Sequence, residues 1–281
     1  MLHLLSLLIA CLPWRWLKLP GSLLGWVTGS ILRIRRAHAE QCLKRAGLDP
    51  AIASGVYRSL GRTVFEFLWM SGRPKQALDD LVDIDPDDWR TVQELLGRGR
   101  GLVIATAHTA NWELAACAVA SKLPLTVITR HMSWRAMDRF WQRARAGRGL
   151  TLVDPPGAVA ASRKTLAKGG AVVFIVDQAP ERERGVIVAD FMAAPALHDL
   201  SFALIAMRAR CPIVLALDER TPDGRHRLHL RLVLPALERA SRSWAEGACR
   251  KVNEALEEFV AEHPDQWLWL HRRWKGVARP G

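Results

Sequence analysis

A histidine is followed five positions later by a glutamate, directly after a short apolar run. The run GLVIATA covers 101–107, and the chain continues as HTANWE over 108–113. A carboxylate that meets an imidazole fixes its tautomer and stabilises the protonated ring, so the imidazole can take a proton from an alcohol. Nine histidines and 28 acidic residues in 281 positions give about one such spacing by chance. The placement of His108 and Glu113 at the end of an apolar run therefore matters more than their spacing.

The same residues also allow a purely structural interpretation. Thr109 is a residue type that caps helices, and His108 would then satisfy a buried hydrogen bond without doing chemistry. The two interpretations differ in whether other reactive side chains meet His108 at one place.

Two further apolar runs end in polar residues. Arg130 follows the run PLTVIT at 124–129, and Asp177-Gln178 follows AVVFIV at 171–176. Binding sites in open α/β sheets form at the carboxyl ends of the strands. If these runs are neighbouring parallel strands, their polar ends converge with His108 and form a site.

The rest of the chain predicts the elements that carry these residues. The stretch 33–99 has helical periodicity, with Leu60, Val64 and Phe67 on one stripe. Beyond it, apolar runs alternate with predicted helices, which indicates an α/β fold with a mainly parallel sheet flanked by helices. The predicted strands are 101–107, 124–129, 150–153, 171–176 and 212–218, with 227–234 as an edge strand, and the predicted helices are 110–121, 134–146, 158–168, 199–209 and 243–262.

The first 32 residues are strongly apolar and rich in tryptophan. Pro13 interrupts the run, Trp14 and Trp16 follow, and a second apolar stretch covers 19–32. Neither stretch reaches the roughly 20 residues of a spanning helix, and the non-basic start does not fit a signal peptide. We expect an uncleaved anchor in the bilayer, with the basic residues of 33–36 on the cytoplasmic side. The alternative is a hydrophobic hairpin packed on the protein. The domain boundaries follow as 1–32 for the anchor and 33–281 for one domain, with a helical lead-in at 33–99 and an α/β core at 100–281.

The chain carries 40 lysines and arginines against 28 acidic residues, a net charge of +12. This excess predicts an acidic partner, such as an anionic lipid or an acidic protein. Arg135, Arg139 and Arg143 share one face of a predicted helix and either dock that partner or are solvated. Nucleic acid is disfavoured because no reader module is recognised. The five cysteines are too scattered for a zinc site or a disulfide framework, so no metal is expected.

Taken together, the motifs resemble the bacterial lipid A biosynthesis lauroyl/myristoyl acyltransferase family, within the lysophospholipid acyltransferase-like superfamily. The resemblance covers nearly the whole chain. It rests on the apolar arm and its basic flank, on HxxNWE at 108–113, on Arg130, Asp177-Gln178 and Gly185-Val186, and on HPDQWLWLHRRWK at 263–275.

The resemblance implies a glycerol-phosphate acyltransferase-like fold and acyl transfer without a cofactor. The donor would be acyl carrier protein, or acyl-CoA, and the acceptor a hydroxyl of a lipid A precursor or similar glycolipid at the bacterial inner membrane, with the domain facing the cytoplasm. His108 would be the general base and Glu113 its partner, with no acyl-enzyme. Asn111 and nearby amides are candidate donors to the oxyanion.

Three further residues receive expected roles from the resemblance. Arg130 would bind acceptor phosphate or orient the donor, unless it is a surface charge. Asp177 would support the site by hydrogen bonding or by positioning Arg130, unless it caps a turn, and Gln178 would assist. The tryptophans of 267–274 belong either to an interfacial belt or to the core.

One segment departs from the family pattern. Where relatives have a Phe-Phe-Gly-like segment, this chain reads VADFM at 188–192 and then AAPALHDLS at 193–201. The departure leaves the acceptor open to another glycolipid, a phospholipid or an aminolipid. A non-catalytic relative that binds membranes or carrier protein is the third alternative.

Overall fold

A seven-stranded sheet forms the centre of the computed structural model, which describes residues 2–78, 80–182, 184–239 and 241–277. Its order is β1-β9-β8-β2-β5-β3-β4, and every neighbouring pair is parallel except β8 and β9. A separate hairpin pairs β6 with β7. The strands are β1 Val82–Ile84, β2 Leu102–Thr106, β3 Leu125–Ile128, β4 Leu150–Val153, β5 Ala171–Ile175, β6 Val186–Phe191, β7 Ala194–Asp199, β8 Ile213–Arg220 and β9 His226–Leu234.

Helices cover both faces of this sheet. Strand β2 is buried on both sides: Val103 and Ala105 belong to one apolar cluster and Ile104 to the other. This two-sided burial explains why the central strands are continuous apolar runs. The prediction of a mainly parallel α/β fold is confirmed. The helices are α1 Leu2–Ala10, α2 Lys18–Trp26, α3 Arg36–Arg45, α4 Ala53–Gly72, α5 Pro86–Gly97, α6 Trp112–Ala120, α7 Arg135–Ala146, α8 Ala158–Leu166, α9 Ser201–Ala209 and α10 Arg242–Glu262.

Three details differ from the sequence predictions. The lead-in at 33–99 is not helical throughout, because Val82–Ile84 forms β1 and pairs with β9. Consequently β9 is not the edge strand. The β6–β7 hairpin was missed because Met192 and Ala193 both have positive φ, 49° and 59°, at the positions where hairpin turns usually have glycine or asparagine.

The N-terminal arm lies against α4. Its glycines permit the contact: a Cβ on Gly21 would lie 2.6 Å from Arg62 Cα, and Gly25 and Gly61 are similarly crowded by backbone. The opposite side of the arm presents large apolar side chains to solvent, among them Leu19 and Trp26. Within the described residues, no helix is both long and apolar enough to cross a membrane. The arm is thus a hairpin packed on the protein that also keeps an exposed apolar face.

The C-terminal tail packs into the core. Trp267, Trp269 and Arg273 are among the largest fully buried side chains, and Trp274 is buried as well. Of the two interpretations of this tail, core packing is the one that the structure has.

Candidate active site

His108 and Asp177 meet because β2 and β5 are parallel neighbours in register. Thr106 lies opposite Ile175, so each polar residue stands two positions beyond a paired strand end. His108 Nδ1 lies 2.9 Å from Asp177 Oδ1, and the backbone amide of His108 donates to Asp177 Oδ2 at 3.0 Å. The expected convergence at the carboxyl ends of the strands therefore includes these two residues.

Asp177 is an ionised carboxylate in a buried position. Trp267 Nε1 donates to its Oδ2 at 2.9 Å. Burial by itself would raise the pKa of Asp177, but its electrostatic interaction and hydrogen bonds with His108, together with the Trp267 indole, lower it below its ordinary value. An ionised Asp177 only accepts, so His108 Nδ1 carries the proton in this pair.

This tautomer leaves the lone pair of His108 on Nε2, at the opposite side of the ring. The Gln178 amide lies 3.4 Å from that nitrogen, and the imidazole meets Trp112 edge to face, with ring centroids 4.7 Å apart. The His108 side chain is 14% exposed. His108 is thus oriented from behind by Asp177 and remains accessible from the cleft.

Glu113 has a different partner from the one expected. Arg145 binds it through two hydrogen bonds, from Nε to Oε2 at 2.6 Å and from Nη2 to Oε1 at 2.5 Å. Trp112 Nε1 and Trp141 Nε1 both donate to Oε1 at 3.0 Å. The prediction that Glu113 hydrogen-bonds His108 is therefore wrong. The imidazole is already held by Asp177, and a buried guanidinium matches a carboxylate in bidentate geometry.

Asn111 is the N-cap of α6. Its Oδ1 accepts from Leu114 N at 3.1 Å, its Nδ2 donates to Glu66 Oε2 at 3.0 Å, and the residue is fully buried. Because Asn111 is fully buried and does not line the cleft over His108, the expectation that its side chain donates to an oxyanion is not met by this arrangement. Capping is a role that its residue type favours.

Arg130 stands beyond the end of β3, at the mouth of the same cleft. Its Nη1 donates to Glu181 Oε2 at 2.6 Å, and the side chain is mostly exposed. The alternative in which Asp177 positions Arg130 therefore does not apply. Arg130 is thus an exposed cation at the rim of the cleft, and its surface ion pair with Glu181 contributes little to stability.

The cleft over His108 has a volume of about 810 Å³ and is amphipathic. One wall is apolar, built from Val159, Phe174 and Val176 and from Phe202 and Ile205 on α9. Its other lining side chains include six cations against three carboxylates. The cations are Arg130, Arg145, Arg182, Arg184, Arg208 and Lys275, and the carboxylates are Glu113, Glu181 and Asp199. Such a cleft suits a ligand with an apolar chain and an anionic part. No group of three metal-ligating side chains occurs in the described ranges.

A buried ionic cluster supports the loop from behind. Arg220 binds Glu66 through two hydrogen bonds of 2.8 and 2.7 Å, and His226 Nδ1 lies 2.7 Å from Asp218 Oδ2. The same Asp218 oxygen accepts from Asn111 N at 2.8 Å. Burial would lower the pKa of His226, but Asp218 and Glu66 raise it to about 9, so the ring is cationic at neutral pH.

Sequence reasoning missed several of these residues. Trp267 lies within the recognised tail motif, yet its hydrogen bond to Asp177 has no local signal. Asp218 and Arg220 stand in the charged end of a strand that begins with five apolar residues, and buried charges next to such a run point to a specific partner. Arg145 lies on the same helix as the predicted basic face of Arg135, Arg139 and Arg143, yet it is buried against Glu113.

The fold and the site define an α/β enzyme in which a histidine held by a carboxylate faces an amphipathic cleft. The comparison with protein families agrees: the model described as "Bacterial lipid A biosynthesis acyltransferase" matches residues 2–276. The chain belongs to this family and is an acyltransferase.

Curated relatives are similar at low identity. "Lipid A biosynthesis lauroyltransferase" of Escherichia coli (strain K12) is 24% identical over 187 residues, which is 66% of this chain and 59% of that relative. "Lipid A biosynthesis palmitoleoyltransferase" of the same organism is 22% identical over 284 residues, covering 93% of this chain and 88% of the relative. "Lipid A biosynthesis acyltransferase" of Shigella flexneri matches to the same extent.

Proposed function

We propose that this enzyme moves a fatty acyl chain from acyl carrier protein to a hydroxyl of a lipid A precursor or similar glycolipid, with His108 as general base. The observation that carries the proposal is the orientation of His108: its Nδ1 is bound to Asp177, while Nε2 is directed at the cleft. A base must present its lone pair to the substrate and have its tautomer fixed from the other side.

The reaction needs one base and no covalent enzyme intermediate. The acceptor hydroxyl takes the place of the Gln178 amide beside Nε2, gives its proton to His108 and attacks the thioester carbonyl. A new C–O bond forms, the tetrahedral oxyanion collapses, and the C–S bond breaks. The imidazolium, stabilised by Asp177, then protonates the departing thiolate. Every proton and leaving group is accounted for without a cofactor.

The cleft supports the substrate class by its chemistry. The apolar wall formed by Phe174, Phe202 and Ile205 is suited to bury part of an acyl chain. Arg130, Arg184 and Arg208 lie among the cations that outnumber the carboxylates, so phosphate groups of an acceptor are attracted to the same cleft. Both halves of an acyl transfer to a phosphorylated lipid thus have a matching surface.

The donor and the membrane follow from exposed surfaces. Arg135, Arg139 and Arg143 are all exposed on α7, a face suited to an acidic carrier protein. Acyl-CoA is the alternative donor. On the arm, Leu19 and Leu23 are exposed next to α4, which supports attachment of the enzyme to the cytoplasmic face of the bacterial inner membrane.

A different acceptor lipid is the second candidate. The segment that departs from the family pattern, 188–201, forms most of the β6–β7 hairpin and the start of α9, and its Asp199 and Ser201 line the cleft. A change of sequence at this wall alters which acceptor fits without affecting His108.

The test is mass spectrometry of lipid A and total lipids from cells that express wild type, His108→Ala or His229→Gln at matched levels. His229 lies on β9, is paired with Glu219 and serves as the control. We expect one lipid class to gain an acyl mass with wild type and the control but not with His108→Ala. An unchanged gain with His108→Ala would refute His108 as the base, and a gain on a phospholipid would favour the second candidate.

Membrane attachment has its own test. Leu19→Gln/Leu23→Gln changes two exposed side chains of the arm, and Leu232→Gln/Leu237→Gln changes two exposed leucines elsewhere. We expect only the arm variant to leave the membrane fraction on sedimentation. Equal sedimentation of both variants would contradict attachment through the arm.

A further inference from the structure

A second cavity lies where the N-terminal arm meets α4 and the turn between β8 and β9. Its volume is about 420 Å³, within the range of roughly 300–1,000 Å³ typical of small-ligand pockets. It shares no lining residue with the cleft over His108. Trp14 Nε1 donates to Gly224 O at 2.8 Å and thereby ties the arm to the turn that closes the cavity.

The lining of this cavity is positively charged. Five cations contribute to it, against three carboxylates: Arg15, Lys18, Arg58, Arg62 and Arg220, with Glu66, Asp223 and Asp265. Glu66 and Arg220 bind each other within this lining, which leaves four cations against Asp223 and Asp265. Asp223 accepts from Thr221 and from the amide of Arg225.

The remaining cations are not neutralised by ion pairs. In the ranges that the structure describes, no salt bridge joins Arg15, Lys18, Arg58 or Arg62 to a carboxylate. Arg62 is held by its Nε, which donates to Ser22 Oγ at 2.8 Å. Burial and the neighbouring Arg220 lower the pKa of Arg62, as expected for a guanidinium that faces other cations.

The position of the cavity relates it to the apolar face of the arm. Arg15 and Lys18 alternate in sequence with Trp16 and Leu19, which are 56% and 74% exposed. Apolar side chains beside a cationic pocket match a molecule whose acyl chains and phosphate lie next to each other.

We infer that this cavity binds the phosphate-bearing headgroup of an anionic membrane glycerophospholipid, separately from substrate binding in the cleft. The inference rests on the proposed attachment of the arm to the membrane. Bound there, the lipid holds the arm, α4 and the β8–β9 turn together. Because α4 also carries Glu66, which binds Asn111, the lipid stabilises the element behind the His108 loop.

The experiment titrates the full-length protein, in a neutral detergent, with dihexanoyl phosphatidylglycerol and follows the heat. Lys18→Gln/Arg58→Gln removes two cations of the cavity, and Arg33→Gln/Lys44→Gln removes two exposed cations that do not line it. Arg208→Gln removes a cation of the cleft instead. We expect the Kd to rise at least about tenfold in the cavity variant and less than about twofold in the other two.

Two further probes identify the ligand. Dihexanoyl phosphatidylcholine and inorganic phosphate should each bind at least about tenfold more weakly than the phosphatidylglycerol, because the first adds a cation and the second lacks the glyceride. Equal binding of inorganic phosphate would overturn the assignment to a lipid. An equal loss in the cavity variant and the Arg33/Lys44 variant would overturn the site itself, since it indicates diffuse electrostatics.

The failure of this inference is separable from that of the proposed function. Sedimentation of the Leu19/Leu23 variant reports attachment to the membrane, and the titration reports the cavity. Mass spectrometry of lipids reports acyl transfer. The cavity variant should retain this activity when purified protein is assayed in detergent.

Discussion

The two sides of the loop at 108–113 are built on different principles. At the front, His108 has one buried partner, Asp177, and one nitrogen directed at a cleft. At the back, two acids and two bases lie buried together, with Glu66 on Arg220 and Asp218 on His226. In the proposed function, the front exchanges a proton with the substrate. The back balances its charges and bonds the loop, so it fixes where the front is held.

The two acids on either side of α6's N-terminus show the same contrast. Among the described residues, Asp177 accepts only from His108 and Trp267, so its charge acts on the imidazole. Glu113 lies in the first turn of α6 but forms its ion pair with Arg145, and this pair links α6 to α7. The two similarly buried carboxylates therefore differ in what they hold. Asp177 holds an imidazole at the cleft, and Glu113 joins two helices.

Asp177→Asn breaks the front and should have the largest effect. An amide cannot fix the same tautomer or stabilise the imidazolium, so kcat should fall between about 10²- and 10⁴-fold. Steady-state acyl transfer measures the loss, and thermal unfolding shows that the protein still folds. Asp83→Asn, on the surface of β1, is the control. If kcat of the Asp177 variant stays within twofold of wild type, Asp177 does not serve the base.

Glu113→Gln should act on stability first. It leaves Arg145 buried without its counter-charge, which costs roughly 3–5 kcal/mol of unfolding free energy. Urea unfolding measures this cost, and Glu113→Gln/Arg145→Met should recover much of it. A variant that unfolds like wild type yet loses turnover as severely as Asp177→Asn would instead assign Glu113 to the chemistry.

The back cluster should make stability depend on pH. The pKa of His226 is raised from 6.5 to about 9 by Asp218 and Glu66 against the effect of burial, while Arg220 lies in the same cluster. Its contribution is therefore complete below about pH 6.5 and is lost as pH rises through 9, on the order of 3 kcal/mol in all.

Urea unfolding between pH 6.5 and 9.5 tests this dependence. The unfolding free energy is plotted against pH for wild type and for His226→Gln. The difference between the two slopes gives the contribution of His226, because both proteins share every other titrating group. His229→Gln, on the exposed side of the same strand, should keep the wild-type slope. An identical slope in the His226 variant would show that the ring is not charged in the folded protein; if that variant does not fold, the histidine NMR titration of wild type decides.

Trp267→Phe should have the smallest effect. It removes one of the three hydrogen bonds to Asp177. A hydrogen bond to a charged group contributes about 2 kcal/mol to the free energy of unfolding. We expect kcat to fall several-fold, since Asp177 keeps its two bonds to His108. Trp269→Phe loses a bond to the Pro264 carbonyl and is the matched control. Equal turnover in both variants would show that the hydrogen bond from Trp267 to Asp177 does not affect catalysis.

Much of the fold followed from the sequence, because the pattern of apolar residues reports burial directly. The central strands and the helices after residue 100 lie within a few residues of their predicted bounds. Strand β1 and the β6–β7 hairpin did not follow. Strand β1 has three residues, too few to show the alternation of apolar and polar residues that predicts a strand. The hairpin turn has no glycine at its positive-φ positions.

For the site, local sequence supplied candidates but not partners. Composition and motif placed His108, Asp177, Gln178 and Arg130 at strand ends, and three of these side chains line one cleft with Asp177 behind. Which acid holds His108 was beyond sequence spacing. Glu113 is five residues away and Asp177 is 69, yet the register of β2 and β5 brings the distant acid into contact. Hydrophobic patterning fixed the elements of this protein, because burial is a property of single residues. Only the tertiary structure decided the pairings, because a hydrogen bond depends on where two separately folded strands end.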